Sequence, residues 1–372
     1  MEAPRSDAPR RRRPVRAAAL GAAVAVAGLV LAEGLAGVLL LGGDAAAAWR
    51  AGDALRHMTH DALLGWTSQP GYSSRQHYGT DEGLTINAQG FRHAGEISPR
   101  VPPDRTRIVC SGGTLTFGPG VDDDDTWCAA LGRIDDGLET INMGQVAYGA
   151  DQAYLWYSLD AARLDHDIHV FAVSTGDLER MRVSRVRGRA KPRLEIAEGS
   201  LGTRDVPVPP RSWLGLRLGG VLWLASRSRS AALVRRATGA APAEPRTSPA
   251  GDPLHAVVPA ILDELVSLHR RAGVAGVLVF LPEPGDRAGT SSDAWRRAVR
   301  DAARNRLPFV DLVAELRAAP PGGLETFYLH GRDDEAVYSP AGHEFLARAL
   351  HRRLQDLALL RALLDGAAAR RP

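Results

Sequence analysis

The fold class predicted by this sequence is α/β, a three-layer α/β/α sandwich around a central parallel sheet, and three observations predict it. Short apolar runs alternate with longer helical stretches from residue 107 almost to the C-terminus. The stretches between runs are long enough to be crossover helices, which parallel neighbours require. Glycine-rich turns follow the runs, as in Ser111-Gly112-Gly113-Thr114, where a buried strand gives way to a helix.

Taken in order, the 372-residue chain opens on a basic tail, residues 1–16, carrying Arg5, Arg10, Arg11, Arg12, Arg13 and Arg16. From Ala17 to Gly43 the only charge is Glu33. Roughly 20 apolar residues cross a bilayer, so 17–43 reads as an uncleaved transmembrane helix, a cleaved signal segment being the alternative. Arginines ahead of the span predict a cytoplasmic N-terminus. The expected location is the cytoplasmic (inner) membrane, single-pass, with the main domain periplasmic or extracellular. Residues 44–105 have no sustained period and contain turn-rich pieces such as SQPGYSS and NAQG. A short helix near 46–58 and then irregular chain with one hairpin are expected there.

From 106 to 365 the alternation predicts strands at 107–111, 138–143, 167–174, 275–281 and 307–311. Helices are predicted at 123–133, 150–164, 253–272, 291–304 and 341–364, and 366–372 is a tail. The rhythm fails over 182–250, which reads as an insertion outside the sheet, with an amphipathic helix in WLGLRLGGVLWLASRS and a Pro/Ala linker.

Composition excludes several classes. With 45% apolar and 24% charged residues the chain is that of a folded protein. Its formal net charge is +3 and Lys191 is the only lysine among many arginines. Outside the termini no basic cluster is interleaved with aromatics, so nucleic acid is not an expected partner. The run Asp122 to Asp125 lacks the spacing of a calcium loop and reads as acidic residues opening a helix, so no metal is expected. Gly112-Gly113 is followed by no Walker lysine, so no nucleotide or other cofactor is expected. Tyr154, Trp156 and Tyr157 read as packing. Cys110 falls in the first strand and Cys128 in the helix after it, and buried free thiols are expected in preference to a disulfide across that layer.

In open parallel sheets ligands bind beyond the carboxyl ends of the strands. The segments there are Ser111 to Gly118, Asn142 to Gly149, Ser174 to Asp177 and Asp333 to His343. Together with Leu64-Gly65-Trp66, Pro70-Gly71, Ile86 to Arg92 and SPAGHEFLA, they resemble the SGNH (GDSL-type) hydrolases, in particular bacterial members with an N-terminal membrane anchor. The resemblance implies an SGNH-hydrolase-like fold, that of ester hydrolases, and a site that can be carried over residue by residue.

On that resemblance the nucleophilic serine falls on Thr114 and the aspartate before it on Gly113. The oxyanion glycine falls on Ala147, and the oxyanion asparagine on Gly176, beside a retained Asp177. The base histidine falls on Val337, three residues after a retained Asp334. Ala147 should be mild, because alanine still offers its N–H wherever φ is negative. Gly176 removes a side-chain amide, and valine accepts no proton at all. If the site is active, Thr114, Asp334 and His330 are its catalytic candidates; His343 should pack, and Ser111 should be pinned in its strand.

The expectation is a membrane-tethered, catalytically degenerate protein of the cell envelope. It would bind an envelope glycan or lipid, or an assembly partner such as an intact paralogue, through a cleft formed by Gly113, Ala147, Gly176, Asp177 and Val337. The alternative is an active ester hydrolase or O-acyltransferase on such a substrate, working with non-standard residues.

Overall fold

The computed structural model describes residues 21, 24–28, 30, 31, 34, 35, 56–79, 82–160, 164–187, 189–209, 252, 254–286, 293–319, 326–330 and 336–357. Those before 36 are helical and exposed, and fall in a unit made of Met1–Arg50 and Trp213–Arg246. The others fall in a second unit, Ala51–Ser212 with Thr247–Pro372. Among the described residues no helix is long and apolar enough to cross a membrane; most of the expected 17–43 span lies outside them.

The second unit begins with two antiparallel hairpins, β1 (Met58–Asp61) with β2 (Gly65–Ser68), and β3 (Ser73–Gly79) with β4 (Glu82–Thr85). This departs from the irregular lead-in expected over 44–105, and Met58 starts a strand where a helix was expected to end; residues 46–55 lie outside the described ones. Trp66, Leu84, Ile86 and Phe91 from this segment are buried in the same core as the sheet. Three of the four strands are only four residues long, too short to show a period-2 signal, and their order comes from tertiary contacts. The Trp66 indole N–H donates to the Val146 carbonyl (3.0 Å), and the Gln152 amide donates to the Leu64 carbonyl (2.8 Å). Both partners lie at or just beyond a strand end, so the lead-in braces the edge where a ligand would bind.

The sheet strands β5 (Thr106–Gly112), β6 (Leu138–Gly144) and β7 (Ile168–Val173) come next. Two small hairpins intervene, β8 (Arg185–Val186) with β9 (Arg189–Ala190) and β10 (Arg193–Ala197) with β11 (Ser200–Arg204), before β12 (Ala275–Phe280) and β13 (Phe309–Asp311) complete the sheet. The order is β13-β12-β7-β5-β6 and every pairing is parallel. The described part of the insertion thus adds no strand to the sheet, and the amphipathic helix expected from Trp213 onward lies outside the described residues.

Between the strands run α1 (Thr114–Phe117), α2 (Trp127–Ile134), α3 (Ala150–Asp160), α4 (Thr175–Arg180), α5 (Leu254–Ala272), α6 (Asp293–Ala303) and α7 (Leu312–Ala318). A last hairpin, β14 (Tyr328–His330) with β15 (Ala336–Tyr338), leads into α8 (Pro340–Asp356). Strand side chains alternate between faces, and the core divides accordingly. Val109, Ile141, Phe171, Val173, Leu278 and Phe280 pack with α3, α5, α6 and the lead-in. Ile108, Cys110, Val170, Ala172, Val277 and Val279 pack with α2 and α8. These are the three layers.

Two local expectations are corrected. The acidic run does not open a helix: Asp123–Asp125 form a 3₁₀ turn, and α2 starts only after Thr126, whose hydroxyl accepts the Ala129 N–H. Asp122 instead accepts the Gly83 N–H (2.7 Å) and Asp123 the Thr85 N–H (2.9 Å), tying β4 to the turn. The cysteines are not free thiols: Cys110 and Cys128 form a disulfide. Cys110 sits on the α2 face of β5, and the two Cα atoms are 6.3 Å apart, inside the range a disulfide spans.

Candidate functional site

The strand order counted along the chain is 2-1-3-4-5, a doubly wound order whose crossovers diverge between β5 and β7, and ligands bind at the carboxyl ends beside that divergence. A cleft of about 810 Å³ opens there, lined by Thr114 and Leu115 after β5, Ser174, Gly176, Glu179 and Arg180 after β7, and Glu283 to Gly285 after β12. Val183, Arg185, Val186 and Arg187, from the start of the insertion, form another wall.

Thr114 begins α1, buried. Its Oγ1 accepts the Ala147 N–H at 2.9 Å. Ala147 holds φ at +64°, a left-handed conformation that alanine adopts only at a cost. The expectation of a mild replacement with negative φ is therefore corrected. The chain keeps the backbone geometry that suits glycine, and the N–H that would face an oxyanion engages the Thr114 hydroxyl.

Gly113 and Gly176 each stand beside a carboxylate from elsewhere. A β-carbon on Gly113 would lie 2.0 Å from Asp177 Oδ1, so an aspartate cannot occupy 113 while Asp177 keeps its place. Asp177 is fixed by a reciprocal cap at the start of α4, accepting the Ser174 N–H (2.9 Å), and by Arg180 (2.9 Å). Burial pushes its carboxyl up to about 6, against the lowering effect of Arg180. A β-carbon on Gly176 would lie 3.0 Å from Glu283 Oε1, which accepts the Gly176 N–H at 2.7 Å. Burial also raises Glu283, with the Gly176 and Ser174 hydrogen bonds opposing.

Val337 lies in β15, buried, paired with Leu329 and set against Gly120, where a β-carbon would come within 3.7 Å of Cγ2. Like Gly113, Ala147 and Asp177 it is not among the residues lining the cleft; the short β14–β15 hairpin sets it against the loop after α1. The His330 backbone pairs with Ala336 at the far end of that hairpin, and Asp334 lies outside the described residues. His343 is fully buried; its Nδ1 accepts the Trp127 N–H (3.0 Å), and burial lowers it to about 3. Ser111 is held in β5, its Oγ 2.7 Å from His169 Nε2, while His169 Nδ1 lies 2.8 Å from His269 Nε2. This buried chain does not reach the cleft. Tyr157 stacks on His169 at 3.4 Å, the packing role expected of it. Among the described residues no group of three His, Cys, Asp or Glu could hold a metal.

The sequence reading missed Glu283, Arg180, Arg185 and Arg187. Glu283 follows β12 by three residues, so extending the strand-end rule to the fourth strand finds it. The arginines were passed over because the segment carrying them read as an excursion.

Fold and site together define a doubly wound α/β protein with a cleft of mixed polar and apolar lining over the carboxyl edge of its sheet. No family model matches the chain, and no curated protein matches it in sequence. In structure it is similar to a member of the lipolytic protein G-D-S-L family from Veillonella parvula DSM 2008, at 11% identity and a TM-score of 0.38, covering 66% of this chain and 95% of that one. It is also similar to the lipase/acylhydrolase from Enterococcus faecalis, at 12% identity and a TM-score of 0.35, covering 68% and 96%. A third likeness is to the acetyl xylan esterase AlAXEase, at 10% identity and a TM-score of 0.37, covering 67% and 99%.

Proposed function

We propose that this is a membrane-tethered cell-envelope protein of hydrolase-type fold, catalytically degenerate, that binds a glycan, lipid or assembly partner through the cleft at the strand ends. One observation carries the reading: the Thr114 hydroxyl, which would have to act as nucleophile, is engaged by the Ala147 N–H. A hydroxyl attacks at neutral pH only with a positioned base, and an oxyanion needs free donors. One such donor, the Ala147 N–H, is already taken by the Thr114 hydroxyl. The full chain, purified in detergent, should turn over a chromogenic acetyl ester at background rate. Tethering is tested separately by fusing alkaline phosphatase after residue 100; activity supports export, and a silent fusion contradicts it.

Glu283 favours a second reading, an ester hydrolase or O-acyltransferase. Its carboxyl lines the same cleft as Thr114 and is raised by burial, as a general base would be. If that reading holds, turnover is measurable and Glu283→Gln removes it.

A further inference from the structure

The segment from Arg180 to Arg193 carries seven basic side chains, Arg180, Arg182, Arg185, Arg187, Arg189, Lys191 and Arg193. Among the described residues six are engaged, Arg187 and Arg189 among them, and four pair with acids. Arg180 pairs with Asp177 (2.9 Å), Arg182 with Asp252 (2.7 Å), Lys191 with Asp151 (2.5 Å) and Arg193 with Asp205 (2.8 Å). Arg185 is different: it lines the cleft, is exposed, and has no ion pair among the described residues. Arg187 lines the same wall, at the turn of the β8–β9 hairpin, with φ at +49°.

The rest of the cleft is polar where it faces this wall. Thr114 Oγ1 already accepts the Ala147 N–H, so its own O–H remains a donor, and among the described residues it has no acceptor. Of the lining acids, Glu283 is turned onto the Gly176 N–H and Glu179 stands exposed on α4. The cleft thus offers an arginine fork and a hydroxyl donor to a group that only accepts. A planar carboxylate satisfies such a fork with two oxygens.

We infer that the cleft binds a hydroxyl-rich ligand bearing a carboxylate, an acidic sugar by chemical class, with Arg185 holding the carboxylate and Thr114 donating to the ligand. The inference rests on the proposed binding role of the cleft and names its ligand class. Ser174, Glu179, Glu283 and the arginines offer hydrogen-bond partners to hydroxyl groups, and Leu115, Val183, Val186 and Pro284 give apolar surface for the faces of sugar rings. A volume of about 810 Å³ leaves room for more than one sugar ring.

The test is calorimetric titration of the full chain in detergent with sodium glucuronate, glucose and glycerol 1-phosphate. Glucuronate should bind and glucose should bind at least tenfold more weakly. Arg185→Ala should weaken glucuronate roughly 10- to 100-fold, the value of one charge-assisted contact, and Arg185→Lys should restore only part of it. Arg193→Ala, whose partner Asp205 lies away from the cleft, should bind as wild type. Unfolding midpoints of the variants, compared with wild type, separate loss of binding from loss of fold. Equal affinity for glucuronate and glucose overturns the carboxylate assignment while leaving the cleft a binding site. Preference for glycerol 1-phosphate, no glucuronate binding at all, or unchanged binding by Arg185→Ala also overturns it. Failure of the non-hydrolytic reading shows instead as ester turnover.

Discussion

At Gly113 and Gly176 a carboxylate from elsewhere stands close to where a β-carbon would lie, and the Ala147 N–H is engaged by Thr114. Gly113→Ala should cost about 1–3 kcal/mol by urea unfolding, because its β-carbon would overlap the Asp177 carboxylate. If it unfolds as wild type, Asp177 does not hold that position. The same geometry bears on restoration. Thr114→Ser with Ala147→Gly, Gly176→Asn and Val337→His should remain at background ester turnover, since an asparagine at 176 meets Glu283 and position 337 is packed on the loop after α1. Adding Glu283→Ala relieves the first conflict and leaves the second. Strong turnover from the four substitutions alone would show that the scaffold still aims these side chains as an active site.

At the scale of elements, the segment before the sheet matters more than its sequence suggests. Arg92, buried at the end of the INAQGFR stretch, donates to the carbonyls of Phe117 (2.8 Å), Gly118 and Val121 (2.6 Å), and pairs with Asp123 (2.8 Å). It therefore fixes the loop that follows α1. Arg92→Ala should destabilise by roughly 3–5 kcal/mol, the cost of breaking a buried pair, and a loss below 1 kcal/mol would remove that role. The disulfide joins β5 to α2 across 18 residues, and reducing it should lower stability by roughly 3 kcal/mol in the chain-entropy account. The sheet was legible because β5, β6, β7 and β12 each carry short, mostly buried apolar stretches with helices between them. The hairpins β1 to β4 and β8 to β11 were not, since strands of two to seven residues held by tertiary contacts carry little periodicity. The disulfide was missed because whether a strand cysteine and a helix cysteine meet depends on which face of the strand the helix covers, which composition does not reveal.

Across the whole molecule, buried neutral histidines set the response to acid. His269 is lowered to about 4 and His343 to about 3, and His169 is held well below the ordinary histidine value, burial being the largest cause in each. Unfolded, these groups take up a proton near 6.5; folded, they stay neutral. The unfolded state then binds more protons, so stability is full above about 6.5 and is lost as pH falls toward the folded values, by roughly 2 kcal/mol per histidine at pH 5. Asp177, raised to about 6, takes up its proton first in the folded state and offsets part of this loss; urea midpoints should still fall between pH 7 and pH 5 because three histidines oppose one carboxyl, and a midpoint that does not fall would remove the histidines' leading role. The candidate site was partly legible at this scale too. Of the residues the motifs point to, Thr114 and Gly176 line the cleft while Gly113, Ala147, Asp177 and Val337 do not, and Arg185 and Arg187 stand in a segment whose sequence fits no strand–helix rhythm.

The central claim, a binding cleft in place of a hydrolytic one, is tested most directly by chromogenic ester turnover of the full chain beside Thr114→Ala and His330→Ala. The account predicts that all three run at the uncatalysed background, because no base is positioned for either substitution to disable. A wild-type rate well above background that Thr114→Ala and His330→Ala both abolish would contradict it and make this protein a working Thr–His hydrolase.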